Sequence, residues 1–231
     1  MQPETPLMAP GQTASTTSAL GQNRVLRNTY ALLALSMVPT IFGAWVGLQR
    51  HFELITKAHP GLTILLFLAV AFGFIFGIEK TKNSGWGVAL LLAFTFLMGL
   101  WLSQMLAMVL GLSNGVSLIA LAFGGTAIIF TAMATLATTV KRDLSGMGKF
   151  LFVGVIMLLL AIAANFFLQL PGLMIAISLI AIGIFSAYML FDVNRIITGG
   201  ETNYISATLK LYLDIYNVFI FLLSLLSGGN R

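Results

Sequence analysis

Seven apolar stretches, each close to twenty residues or longer and nearly free of charge, run through this chain. Their length decides the solvent. A bilayer core takes roughly 20 apolar residues as one helical crossing, and no single soluble core buries seven such stretches. By hydropathy the crossings fall at residues 30–48, 62–78, 86–110, 116–140, 150–170, 173–191 and 208–226. None shows the alternation that a barrel strand needs, so the expected class is an all-α membrane protein with the lipid bilayer as its main partner. Charge agrees: 8% of the 231 residues are charged, against roughly 25% in a soluble domain.

Residues 1–23 are polar, rich in Pro, Ser, Thr and Gly, and without periodicity; they read as a disordered tail. Residues 24–231 read as one seven-helix domain. Arg24 and Arg27 precede an apolar stretch too long for a signal-peptide core. The sequences GLSNG (residues 111–115) and QLPG (169–172) read as tight hairpin turns. Arg24, Arg27, Lys80, Lys82, Lys141, Arg142, Lys149 and Arg195 fall on one side, and Arg50, Lys57 and Arg231 on the other. The basic excess places the amino terminus in the cytoplasm. A full seventh crossing puts the carboxyl terminus opposite, although Lys210 and Asp214 leave a re-entrant helix open. The net charge of +5 is scattered over short loops with no stripe for nucleic acid.

There is no cysteine, which excludes disulfides, thiolate nucleophiles and Cys-based metal centres. No cofactor is expected, and no enzyme activity. Gly43-x-x-x-Gly47 and Gly73-x-x-x-Gly77 offer flat faces for helix packing, and Pro39 predicts a kink in the first crossing.

Of the seven acidic residues, Asp192 and Asp214 alone stand in awkward places, at the end of the sixth apolar run and two turns into the seventh. A carboxylate near the middle of a membrane helix costs roughly 2.5–3.5 kcal/mol on insertion scales, so each must face the bundle interior, a partner or water. The short connection puts both at similar depth near the cytoplasmic face, where they can meet. Two readings stay open. Arg195 is three residues after Asp192 and Lys210 four before Asp214, both at ion-pair spacing on a helix. Alternatively the carboxyls touch and titrate as a unit, forming a pH-dependent latch. Two aspartates give Ca²⁺ only a weak transit site, since that ion takes about six to eight oxygens. Tyr188 and Asn217, one turn away on the same faces, add oxygens or pack between helices. His51, Glu53 and His59 read as surface residues, and residues 199–204 (GGETNY) as a helix stop and turn.

The segments Phe185-Ser-Ala-Tyr188, Asp192, Gly200-Glu-Thr-Asn-Tyr204 and Leu211-Tyr-Leu-Asp214-Ile-Tyr-Asn217 resemble the signature of the Bax inhibitor (transmembrane BAX inhibitor motif) family. Val25-Leu-Arg-Asn-Thr-Tyr30, Gly124-Gly-Thr-Ala127 and Ala164-Asn-Phe-Phe-Leu-Gln-Leu-Pro171 are similar to its bacterial YccA-like branch. The resemblance implies six helices packed around a central, hydrophobic seventh. It also implies a pH-sensitive Ca²⁺ leak with Asp192 and Asp214 as the sensor. A basic latch near the end of the second helix would fall on Lys80 or Lys82. The branch implies a bacterial inner-membrane location and a link to an FtsH-type AAA protease.

Three functions follow as expectations. The first is a leak for Ca²⁺ in which protons set the gate. The second is an interaction protein that modulates an FtsH-type protease without transport. The third and most remote is an intramembrane aspartyl protease, which also uses two aspartates on adjacent helices, but the glycines expected near the second aspartate are missing here.

Overall fold

The structure, a computed structural model, describes residues 10–50, 52, 60–140 and 142–228, with side chains from Gly21 onward except at Pro60. Among these residues the chain forms seven helices: α1 Pro10–Gln49, α2 Pro60–Thr81, α3 Gly85–Leu110, α4 Gly115–Thr139, α5 Met147–Leu168, α6 Pro171–Ile197 and α7 Tyr204–Gly228. All seven are long and apolar enough to cross a bilayer. Helix is what lipid requires, because the hydrocarbon offers no partner to a backbone N–H or C=O. At about 1.5 Å per residue, the 25 residues of α7 are long enough for a full crossing.

The helix ends follow local chemistry. Gly115 must be glycine: a Cβ there would stand 2.0 Å from Val109 O, so the GLSNG turn closes only without a side chain. At the next hairpin on that face, Pro171 occupies the first turn of α6, where its missing N–H costs nothing. Asn165 Oδ1 accepts the Leu170 N–H at 3.1 Å across the turn. Both turns are where the sequence places them. At the other end of the molecule α1 starts at Pro10, well inside the segment whose composition reads as an unstructured tail. The helix also runs on through Pro39.

Packing is organised by α7, which lies against α1, α2, α3, α4 and α6, while α5 leans on α6 from outside. In the most apolar window of α7 44% of residues are buried, against 6% in α5; the last helix is the core and the fifth is mostly lipid-facing. Polar side chains bolt α7 in place. The Tyr212 hydroxyl meets Thr40 Oγ1 at 2.9 Å, Tyr216 donates to Met98 O at 3.0 Å, and Thr208 donates to Thr29 O at 3.3 Å. Such bonds hold well in hydrocarbon, which supplies no competing water.

The α1–α3 seam rests on small residues. A Cβ on Gly43 would come 2.2 Å from Phe96 O, and one on Gly99 2.1 Å from Thr40 O. The first Gly-x-x-x-Gly pair therefore does what its spacing suggests. The second does not: Gly73 has open space around it and Gly77 meets only a Leu90 methyl at 3.5 Å. Nothing on a lipid-facing surface requires a flat face there.

Candidate functional site

The loop between α6 and α7 sets the geometry of the two aspartates. Gly199 ends α6 at φ +81, a left-handed value that glycine reaches without steric cost. The Glu201 N–H then returns to Arg195 O at 3.0 Å, and the chain reverses. Asn203 opens α7: its Oδ1 accepts the N–H groups of Ile205 (2.9 Å) and Ser206 (3.1 Å), two of the donors that a helix start leaves unpaired. Its Nδ2 donates to Lys82 O (3.0 Å) and Asn83 Oδ1 (2.9 Å), fastening this loop to the α2–α3 turn. The 199–204 stretch is thus the stop and turn expected, and also a tie between two loops.

The reversal brings Asp192 and Asp214 together. They are 7% and 6% exposed, and their carboxyl groups face each other within hydrogen-bonding reach. Asp214 Oδ2 is shut off from solvent and has no hydrogen-bond partner.

The local ion pairs suggested by helix spacing do not form. Lys210 Nζ donates to Glu201 Oε2 at 2.5 Å, turning away from Asp214. Arg195 donates to Gly200 O at 3.0 Å and lies over the Phe191 ring, 5.6 Å from its centre. Both choices have one cause: long basic side chains reach toward the wet end of the bundle, and the loop supplies acceptors there. Each cation still acts on Asp192 through space.

Lys82 pairs with Glu79 at 3.0 Å in a partly exposed contact, and Lys80 is exposed. Neither is among the charges that bear on the aspartates, which are Lys210, Arg195 and Glu201. Tyr188 packs between Phe185 and Phe191 and lies within electrostatic reach of both carboxyls. Asn217 donates its amide to Leu213 O at 2.7 Å on its own helix. His51, Glu53 and His59 lie outside the described residues, and among the described residues no three His, Cys, Asp or Glu side chains gather to hold a metal.

Two residues in this region escape a reading of the sequence. Glu201, next to the Gly-Gly stop, looks like a loop acid beside water, yet its side chain is only 14% exposed and anchors Lys210. Asn194 is fully buried: it accepts the Leu144 N–H at 3.1 Å and donates to Val140 O and Arg142 O at 3.3 and 3.2 Å. That pins the α4–α5 loop to α6. An amide in a crossing is a signal in itself, but its partners, fifty or more residues away, are invisible to local spacing.

Relatives of known name resolve the family. The family model described as "Inhibitor of apoptosis-promoting Bax1" matches residues 22–231. The chain is 39% identical over 215 residues to "Modulator of FtsH protease YccA" of Escherichia coli strain K12, covering 93% of this chain and 94% of that one. Over the same length it is 39% identical to "Inner membrane protein YccA" of Escherichia coli O6:H1. An "Uncharacterized membrane protein" of Vibrio cholerae is 36% identical over 220 residues, covering 95% of this chain and 96% of that one. With the buried aspartate pair, the seven crossings and a match from residue 22 to the end, the chain belongs to the Bax inhibitor family.

Proposed function

We propose that this protein is a pH-responsive cation leak of the bacterial inner membrane, with Ca²⁺ as the transported ion and Asp192 and Asp214 as its sensor. The observation that carries this is the contact between the two buried carboxyls of α6 and α7. A hydrogen bond between two carboxyl groups requires a proton on one of them, so the pair holds a single proton between two acids. When the proton is present it joins α6 to α7. When it leaves, two like charges sit side by side in a poorly solvated place, and repulsion favours separation of the helices. Protonation thus biases a two-state packing of the core helix. Of the basic residues near the pair, Lys210 is the one whose charge acts on both carboxyls.

The experiment is reconstitution in liposomes loaded with a Ca²⁺-sensitive dye. Flux above protein-free vesicles supports the leak; its absence at every pH overturns it.

A second reading is favoured by the printed name of the Escherichia coli relative, a modulator of FtsH protease. On it, this chain engages an FtsH-type protease and the aspartate contact holds α6 against α7. Deleting residues 1–23 separates the two. Engagement by a protease that grips a terminal segment weakens, whereas a leak built from the bundle persists.

A further inference from the structure

Among the described residues, Glu201 and Lys210 form the one short ion pair beside the aspartates, and no part of the proposed mechanism uses it. The groups facing Lys210 come from three elements. Asp192 and Arg195 belong to α6, Glu201 to the loop, and Asp214 lies one helical turn further along α7. Lys82, in the α2–α3 turn, also bears on Glu201. With one proton on the aspartate pair, the set formed by the two aspartates, Glu201, Lys210 and Arg195 is electrically neutral. Loss of that proton leaves it one negative charge in excess.

We propose that Glu201 is a positioning residue for the proton-responsive pair: it holds Lys210 away from the aspartates while they share a proton and releases it to them when the proton departs. This rests on the reading of Asp192 and Asp214 as that pair.

Geometry allows the exchange. Lys210 and Asp214 are four residues apart on one helix, the spacing at which side chains meet, so the ammonium reaches the aspartate by a change of rotamer. The Lys210 side chain is 37% exposed, so its path runs along the wet edge of the bundle. Glu201 has substitutes waiting, since Arg195 and Lys82 both bear on it. The carboxyl proton passes to water at the basic face, and no other bond is made or broken. The exchange also removes one of the ties between the α6–α7 loop and the body of α7, while the Asn203 bonds to the α2–α3 turn stay in place.

The test follows the protonated-carboxyl C=O band by infrared difference spectroscopy on the full-length protein in lipid, assigned by its loss in Asp192→Asn and Asp214→Asn. Glu201→Gln frees Lys210 to stabilise the ionised pair, so the band should disappear at a pH lower by roughly one unit, a tenfold change in proton affinity. Lys210→Gln should move it the other way, and Lys210→Arg should leave it near wild type. In the Lys210→Gln background, Glu201→Gln should shift the band much less than in the wild type, the remainder being the direct action of the Glu201 charge on Asp192. A Glu201→Gln profile superimposed on wild type overturns the proposal, as does a Glu201→Gln shift that is as large without Lys210 as with it. A band absent from the wild type at every pH would remove the proton-sharing pair itself, and this proposal with it.

Discussion

At the scale of single residues, the site is a contest over where two cations go. Sequence spacing offers Arg195 to Asp192 and Lys210 to Asp214, and neither pair forms, because the loop between the helices presents Gly200 O and Glu201 Oε2 closer to water. The aspartates were legible because a carboxylate in an apolar run is costly wherever it stands. Glu201 was not, because its importance comes from a fold-back that places it against a lysine nine residues on. Burial raises the Glu201 carboxyl, but the hydrogen bond and charge of Lys210 outweigh it and hold the group below its ordinary value. A carboxyl lowered in the folded state contributes stability above its unfolded pKa, and that contribution is lost as pH falls through the folded value. Thermal unfolding in detergent should therefore show Glu201→Gln less stable than wild type near neutral pH. The partly exposed lysine limits this to about 1 kcal/mol or less, and the difference should fade as the Glu201 carboxyl becomes protonated in acid.

At the scale of elements, small residues decide which helices touch. Gly43 and Gly99 stand where a Cβ would meet backbone of the neighbouring helix, whereas Gly73 faces open space. Gly99→Ala should lower the unfolding temperature by the equivalent of about 1–3 kcal/mol, the usual effect of overpacking, while Gly73→Ala should be neutral or slightly stabilising. Equal effects at the two positions would contradict the assignment of the α1–α3 seam. The crossings were legible to within a few residues because apolar length is a strong signal. The seam was half legible: Gly-x-x-x-Gly spacing marks a possible face, and only the three-dimensional arrangement says whether a helix lies on it. The start of α1 was not legible at all, since a polar stretch rich in Ser, Thr and Gly carries no periodic pattern, and its helix propagates outward from the apolar span that follows.

At the scale of the molecule, five helices surround the seventh while α5 leans on α6 from outside, and the seventh carries half of the aspartate pair. On the proposed function, a change in the charge of the pair would act on the helix that α1, α2, α3, α4 and α6 all touch, and a local proton would bias the whole bundle. The basic side should be cytoplasmic. Because the chain has no cysteine, single cysteines report on topology cleanly: one at Ser145 or Asn83 should react with an impermeant maleimide only from the cytoplasm, and one at Asn114 or Gly172 only from outside. The central claim is that the Asp192–Asp214 pair sets the pH response of flux, and the direct measurement is Ca²⁺ flux in liposomes over about pH 6–8 for wild type, Asp192→Asn and Asp214→Asn. The account predicts a pH-dependent wild type and two variants whose flux no longer changes with pH, since either substitution removes the shared proton. Variants that keep the wild-type pH profile would contradict it and leave the pair a structural contact.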